Sequence, residues 1–218
     1  MGYLFFDIEA YVPPEDPKKA FNPYMSHSKV LEISYNYYPG FSSPRRHELK
    51  PPTFLVEWKD GEKKILSEFY SMIKRLVKED VYTSSSGSQE CGLKFVGFNM
   101  LKFDLPYLFG RLDALGIASK AELMDNLFAL PRALDLCYIT PLISKKTREQ
   151  LELRPISQKA ANEFFGIPVK EGRGDELSRF YDNKQYDKIL KYCREEFTFE
   201  QLYDALLTHI LEKQDAAG

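Results

Sequence analysis

Three short stretches of the chain hold side chains whose types and spacing suit chemistry. The first is Tyr3-Leu4-Phe5-Phe6-Asp7-Ile8-Glu9-Ala10, an apolar run that ends in two carboxylates. Asp7 and Glu9 are separated by one residue, so on a strand they project to the same side. Two carboxylates on one side of a buried strand repel each other unless something positive sits between them. A hard divalent cation such as Mg²⁺ is the usual partner. The same residues also fit a strand that stops at Ile8, with Glu9 solvated. The second stretch runs from Val96 to Leu108 and holds Asn99, Lys102, Phe103 and Asp104. A strand would deliver Asn99, and Phe103-Asp104 would open a helix beside it. Asp104 in a first helical turn also suits the helix dipole alone, and Asn99 suits a loop with an unusual backbone. The third stretch is Leu190 to Phe197, where Tyr192 and Glu196 share one helical face. A phenol and a carboxylate can therefore point together into one site. An exposed Arg/Glu face with Tyr192 packed on the core is the other reading.

These stretches need elements to position them. The apolar run before Asp7 reads as a strand buried on both faces, at the centre of a sheet. A proline-rich loop, Val12 to Pro23, leads to a second strand, Val30 to Tyr38, in which Leu31, Ile33, Tyr35 and Tyr37 alternate with polar residues. Pro39-Gly40 and Ser42-Ser43-Pro44 mark a loop. A third strand is expected at Thr53 to Trp58, before the Asp60-Gly61 turn, which makes an antiparallel meander. Ser67 to Val77 reads as an amphipathic helix with Ser67 at its N-cap. Tyr82 to Gly92, rich in serine and glycine, reads as a mobile loop. Short strands are expected at Phe95 to Phe98 and Ala133 to Leu136, with a helix from Lys102 to Leu115 ended by Gly116. Leu142 to Arg154 is the most basic stretch, with Lys145, Lys146, Arg148 and Arg154. A helix from Ser157 to Phe165 closes at Gly166, a short one lies near Glu176 to Tyr181, and a long one runs from about Tyr186 to Glu212. Strands first, then alternating helices and strands, then helices, indicate a mixed α/β domain.

The 218 residues are enough for one domain with a full core, and a hydrophobic content of 44% excludes general disorder. The net charge of -2 gives no global basic field. Local basic clusters can still hold phosphates. Cys91, Cys137 and Cys193 form no CxxC pair, so neither a disulfide framework nor a zinc site is expected, and a reducing cytoplasm is the natural setting. No apolar run approaches the ~20 residues of a membrane span, and no secretory signal precedes the first strand.

Asp7-x-Glu9, Asn99-x-x-x-Phe103-Asp104 and Tyr192-x-x-x-acid, in that order, resemble the three motifs of the DEDD exonucleases. The tyrosine points to the DEDDy branch. The resemblance is nearest to the 3′–5′ proofreading domain of family-B DNA polymerases and its stand-alone relatives. It continues through the helix ending in Gly166-Ile167 and through Gly174-Asp175-Glu176-Leu177 toward Tyr192, and so covers nearly the whole chain as a single domain, 1–218. The histidine branch needs a His five residues before the last acid. His209 has Gln214 at that offset, and His27 has Glu32, but in an N-terminal strand where it cannot serve this role.

The resemblance implies a ribonuclease-H-like α/β fold, a five-stranded mixed sheet flanked by helices. It implies two Mg²⁺ or Mn²⁺ ions ~3.5–4 Å apart, one activating water and one stabilising the leaving oxygen. Asp7 would bridge both ions, Glu9 and Glu196 would hold the nucleophile-side ion, and Asp104 the other. Tyr192 would orient the attacking water. Asn99 would contact sugar-phosphate, Phe103 would mainly pack, and Lys102, Lys145, Lys146, Arg148 and Arg154 are candidates for holding the backbone or are solvated charges. The substrate would be a single-stranded or frayed 3′ end, DNA before RNA, released as 5′-mononucleotides. With no polymerase or helicase segment expected, the chain would act alone or with a replication or repair protein in trans. One departure stands out: the family's fourth acid is normally Asp, and here it is Glu196, which reaches about 1.5 Å further. Glu195 is a rival, but the spacing from Tyr192 and the apolar Phe197 favour Glu196. The departure also admits a degenerate fold that binds nucleic acid or protein without cutting it.

Overall fold

The computed structural model describes residues 1–13, 22–40, 49–143 and 155–215. Lys145, Lys146, Arg148 and Arg154, the Ser42-Ser43-Pro44 loop and residues 14–21 of the proline-rich segment lie outside them. The fold is ribonuclease-H-like: a mixed five-stranded sheet flanked by helices. Its strands are β1 (Tyr3–Ala10), β2 (Val30–Tyr38), β3 (Thr53–Val56), β6 (Lys94–Gly97) and β7 (Arg132–Asp135), in the order β3-β2-β1-β6-β7. The meander β1–β2–β3 is antiparallel, and β6 and β7 add to β1 in parallel. The remaining pair, β4 (Val81–Thr83) and β5 (Gln89–Cys91), forms a separate hairpin. The expected Ser/Gly loop is therefore a hairpin, whose turn is tied by bonds among Ser84, Ser86 and Ser88.

β1 is central, and its alternation divides the core. Leu4, Phe6 and Ile8 face one helical layer, while Tyr3 and Phe5 face the other. The first layer is built on α2 (Glu62–Glu79) and α3 (Asp104–Ala114). Ile65, Phe69, Ile73 and Leu76 recur at helical spacing, so one stripe of α2 is buried. Phe6 meets Phe69 and Phe95 edge-on at 5.4 and 5.5 Å. Such packing adds about 0.5–1.5 kcal/mol per aromatic pair beyond the buried area. The second layer holds α5 (Leu136–Ile143), α6 (Gln158–Phe165) and α9 (Phe199–Asp215). Ser157 caps α6 by accepting from the Ala160 N–H, and Gly166 closes it in the left-handed region at φ 68°.

Several boundaries differ from the sequence expectation. β3 stops at Val56, and Trp58 lies in α1 (Glu57–Asp60), a helical turn separated from α2 by Gly61 at φ 78°. Trp58 stacks on Tyr186 at 4.8 Å and 3°. α2 begins five residues before Ser67, which is no cap; its hydroxyl donates back to the Lys63 carbonyl. The long C-terminal helix is two, α8 (Tyr186–Glu196) and α9, with Phe197 and Thr198 between them. Gln158 holds that break, donating to the Glu196 carbonyl at 2.7 Å and to Thr198 Oγ1 at 3.0 Å. The polar residues of β2 that alternate with the apolar ones, Glu32, Ser34 and Asn36, are all buried. β2 lies inside the sheet with helices on both faces, so alternation there separates two interiors. Among the described residues, no helix is long and apolar enough to cross a membrane.

Candidate active site

Asp7, Glu9, Asn99, Phe103, Asp104, Tyr192 and Glu196 all line one cleft of about 360 Å³. They arrive from four elements. Asp7 and Glu9 continue the face of β1 that carries Tyr3 and Phe5, and the β1–β2 register shifts between Glu9 and Ala10. Such irregularities re-aim side chains at strand ends. Asn99 and Phe103 lie in the turn after β6, with Asn99 at φ 61°, an αL conformation that asparagine tolerates. Asp104 is the first residue of α3, and its Oδ1 accepts the Ile8 N–H at 3.0 Å, so the helix start is tied to the strand between Asp7 and Glu9. Tyr192 and Glu196 project from the last turns of α8, Glu196 being its final residue. Glu195 instead faces Lys191 at 3.6 Å on the outer side of that helix. Lys102 is exposed and outside the cleft lining.

Asp7, Glu9 and Glu196 each offer an oxygen within 4.8 Å of the other two. The extra methylene of Glu196 therefore does not keep it from the group. Asp104 stands outside this trio but beside Asp7. Burial pushes the Asp7 carboxyl well above its ordinary pKa, with Asp104 and Glu196 adding to the push and Lys170 opposing it. Burial, then Glu196 and Asp7, do the same to Glu9. Asp104 is pushed up to about 7 by burial, held back by the Ile8 N–H. Oε2 of Glu196 is buried without a hydrogen-bond partner among the described residues. An all-oxygen donor set, crowded with like charge and partly unpartnered, fits a hard divalent cation such as Mg²⁺ or Mn²⁺.

The sequence reading gave Lys170, Gly172, Asp135, Gln158 and Glu32 no role at this site. The Lys170 ammonium donates to both the Tyr192 phenol oxygen and Glu196 Oε1, and lies 4.3 Å from the Tyr192 ring centroid. The loop that presents it packs on the same ring. A Cβ on Gly172 would come within 2.7 Å of Tyr192 Cδ2. Burial, then Glu9 and Glu196, push the Tyr192 pKa strongly upward, so the phenol keeps its proton. Asp135, 3% exposed, accepts the Asn99 N–H at 2.7 Å and the Cys137 N–H at 3.2 Å on Oδ1, and the Leu101 N–H at 3.0 Å on Oδ2. Gln158 fixes the end of α8 as described above. Glu32 lies across from Glu9 in the ladder. A lysine two residues before Gly172 and an acid closing a strand were the available signals for Lys170 and Asp135. Neither has a spacing that singles it out.

No family model matches the chain, and no curated protein matches it. Among solved structures, the family B DNA polymerase of the hyperthermophilic archaeon Pyrobaculum calidifontis superposes with a TM-score of 0.60 at 16% identity, over 95% of this chain and 24% of the polymerase. This chain thus spans about a quarter of that protein's length, and the likeness is one of fold. A zinc-bound E. coli ExoI–ssDNA complex aligns over 95% of this chain and 40% of its own, at 10% identity and a TM-score of 0.49.

Proposed function

We propose that the chain is a single-domain, metal-dependent 3′–5′ exonuclease that hydrolyses single-stranded or frayed nucleic acid, DNA before RNA, to 5′-mononucleotides. The observation that carries this reading is the convergence of Asp7, Glu9, Asp104, Tyr192 and Glu196 in one cleft of a ribonuclease-H-like fold. Asp7, Glu9 and Glu196 would hold the cations, with Asp104 completing the set beside Asp7. When bound, such ions supply a nucleophile at neutral pH and stabilise charge on the phosphate and the leaving oxygen. The protein's own groups do the positioning. Tyr192, protonated and clamped by Lys170, offers a hydroxyl that orients the attacking water. Lys170 also fixes Glu196. Asn99 and Phe103, at the mouth of the cleft, would meet the terminal nucleotide, where an aromatic face accepts any base. A replication or repair protein in trans would fit such an activity.

The test is digestion of a 5′-labelled oligonucleotide in Mg²⁺ or Mn²⁺, with Asp7→Ala as the control. Stepwise shortening from the 3′ end should be lost in the variant. Digestion that survives Asp7→Ala refutes the site. A second reading, a nucleic-acid-binding module without cleavage, is favoured by one observation: Lys170 already pairs with Glu196, the acid that departs from the family pattern. Oligonucleotide binding with no mononucleotide released in either metal would establish it. Matched DNA and RNA oligonucleotides decide the substrate.

A further inference from the structure

Val30-Leu31-Glu32-Ile33 sets one carboxylate in an apolar run, and the fold buries it completely, at 0% exposure. Glu32 pairs directly with Glu9 across the antiparallel β1–β2 ladder. Opposed residues on such a ladder project to the same face with Cβ atoms about 4.5–5.5 Å apart. Glu32 therefore shares the face that carries Asp7 and Glu9, one strand deeper. Ser34 is paired with Asp7 in the same way. Neither carboxylate oxygen of Glu32, nor Ser34 Oγ, has a hydrogen-bond partner among the described residues. Burial holds the Glu32 carboxyl well above its ordinary pKa; the Cys193 thiol, a weak donor on α8, opposes this and Glu196 adds to it. Buried carboxylates are ordinarily paired, because an unpaired one is expensive. An apolar side chain would complete the run Val30–Ile33 without that penalty. Its neighbour across the ladder, Glu9, is one of the acids of the cleft.

We propose that Glu32 is a fifth acidic member of the cation centre, a positioning residue that stands behind Glu9 and Glu196 and raises the affinity of the Asp7–Glu9–Glu196 group for divalent cations. The proposal rests on the nuclease reading only in that it needs the trio to bind metal. A carboxylate in a low-dielectric interior attracts a nearby cation without touching it, because little solvent screens the pair. Residues just behind metal ligands typically change metal affinity 10–100-fold when replaced.

Mn²⁺ binding is measured by titration calorimetry on the wild type, Glu32→Gln and Glu32→Met, with melting temperatures in EDTA for each. Glu32→Gln keeps the shape but cannot ionise when a cation binds; Glu32→Met fills the space with an apolar chain. The expected result is Mn²⁺ affinity weakened about 10–100-fold in both variants, with melting in EDTA at or above that of the wild type, since an unpartnered buried acid has been removed. Unchanged Mn²⁺ affinity overturns the proposal. So does failure of both variants to fold, which would make Glu32 a structural residue. If the wild type itself binds no Mn²⁺, the metal-centre reading fails, an outcome distinct from a wild type that binds and variants that bind equally well.

Discussion

Asp135→Asn should loosen the whole far side of the cleft. The Asp135 carboxylate accepts three backbone N–H groups, from Asn99, Leu101 and Cys137, at 2.7 to 3.2 Å. Asparagine retains one acceptor oxygen and turns an amide N–H₂ toward a backbone donor. Hydrogen bonds to a charged acceptor contribute about 1.5–3 kcal/mol each, and a buried unsatisfied donor costs about 1–3. Losing one such bond and gaining one such donor gives a destabilisation of about 3 kcal/mol. For a chain of this size, ~2–4 °C per kcal/mol puts the loss at ~6–12 °C in melting temperature. The turn held by Asp135 contains Asn99 in its αL conformation and leads directly to Asp104. Displacing Asp104 by an ångström should lower the cleavage rate by about 10²-fold. Circular dichroism melting in EDTA and initial rates in Mn²⁺ check both. A variant that melts within about 2 °C of the wild type, where ~6–12 °C is expected, and cleaves at the wild-type rate would refute the role assigned to these bonds.

The metal-free protein should lose stability as pH rises. Asp104 is pushed up to about 7, and Asp7 and Glu9 are also raised, whereas unfolded carboxylates titrate near ~4. Between these values the native state binds more protons than the unfolded one, so stability is full below about pH 4 and is lost through about pH 7. Calorimetry in EDTA should therefore show melting temperature falling across that window, and saturating Mn²⁺ should remove most of the fall; a rise with pH in EDTA contradicts the burial of these acids. Gly172→Ala should cut activity, because its Cβ would lie 2.7 Å from Tyr192 Cδ2, at an overpacking cost of about 1–3 kcal/mol. Gly166→Ala, strained at φ 68° but with nothing within 4 Å of its Cβ, should cost about 1–2 kcal/mol and leave the rate unchanged. Equal rates for the two variants would remove the clamp on Tyr192 from the account.

The sequence carried the fold because its signals were local and strong. The apolar run into Asp7 marks a central strand, and the Ser157 cap and Gly166 stop bound α6 closely. The residues gathered in the cleft were legible for a related reason: one-residue spacing on a strand and helical spacing on α8 put side chains on common faces before any tertiary contact is known. Other features depend on long-range contacts that no window holds. The break between α8 and α9 is fixed by Gln158, 38 positions away from Glu196. Ser67 resembled a cap because helix starts and exposed helical serines share a composition, and only the buried stripe from Ile65 onward shows that α2 began earlier. The burial of Glu32 was not legible because alternation is blind to what covers each face. Lys170 sits in a connection without helix or strand, where no periodicity ties it to Tyr192.

The stack of Trp58 on Tyr186 gives the molecule an optical reporter of its own. Trp58 is the only tryptophan of the chain, and it rests on the first residue of α8, the helix whose last residue is Glu196. A helix of 11 residues is a short, stiff rod, about 16 Å long. A tilt of this rod about its middle would move the ring beneath Trp58 at the other end. Indole emission depends on such stacking, so the fluorescence of a single native residue should report any such tilt, with no label added to the cleft.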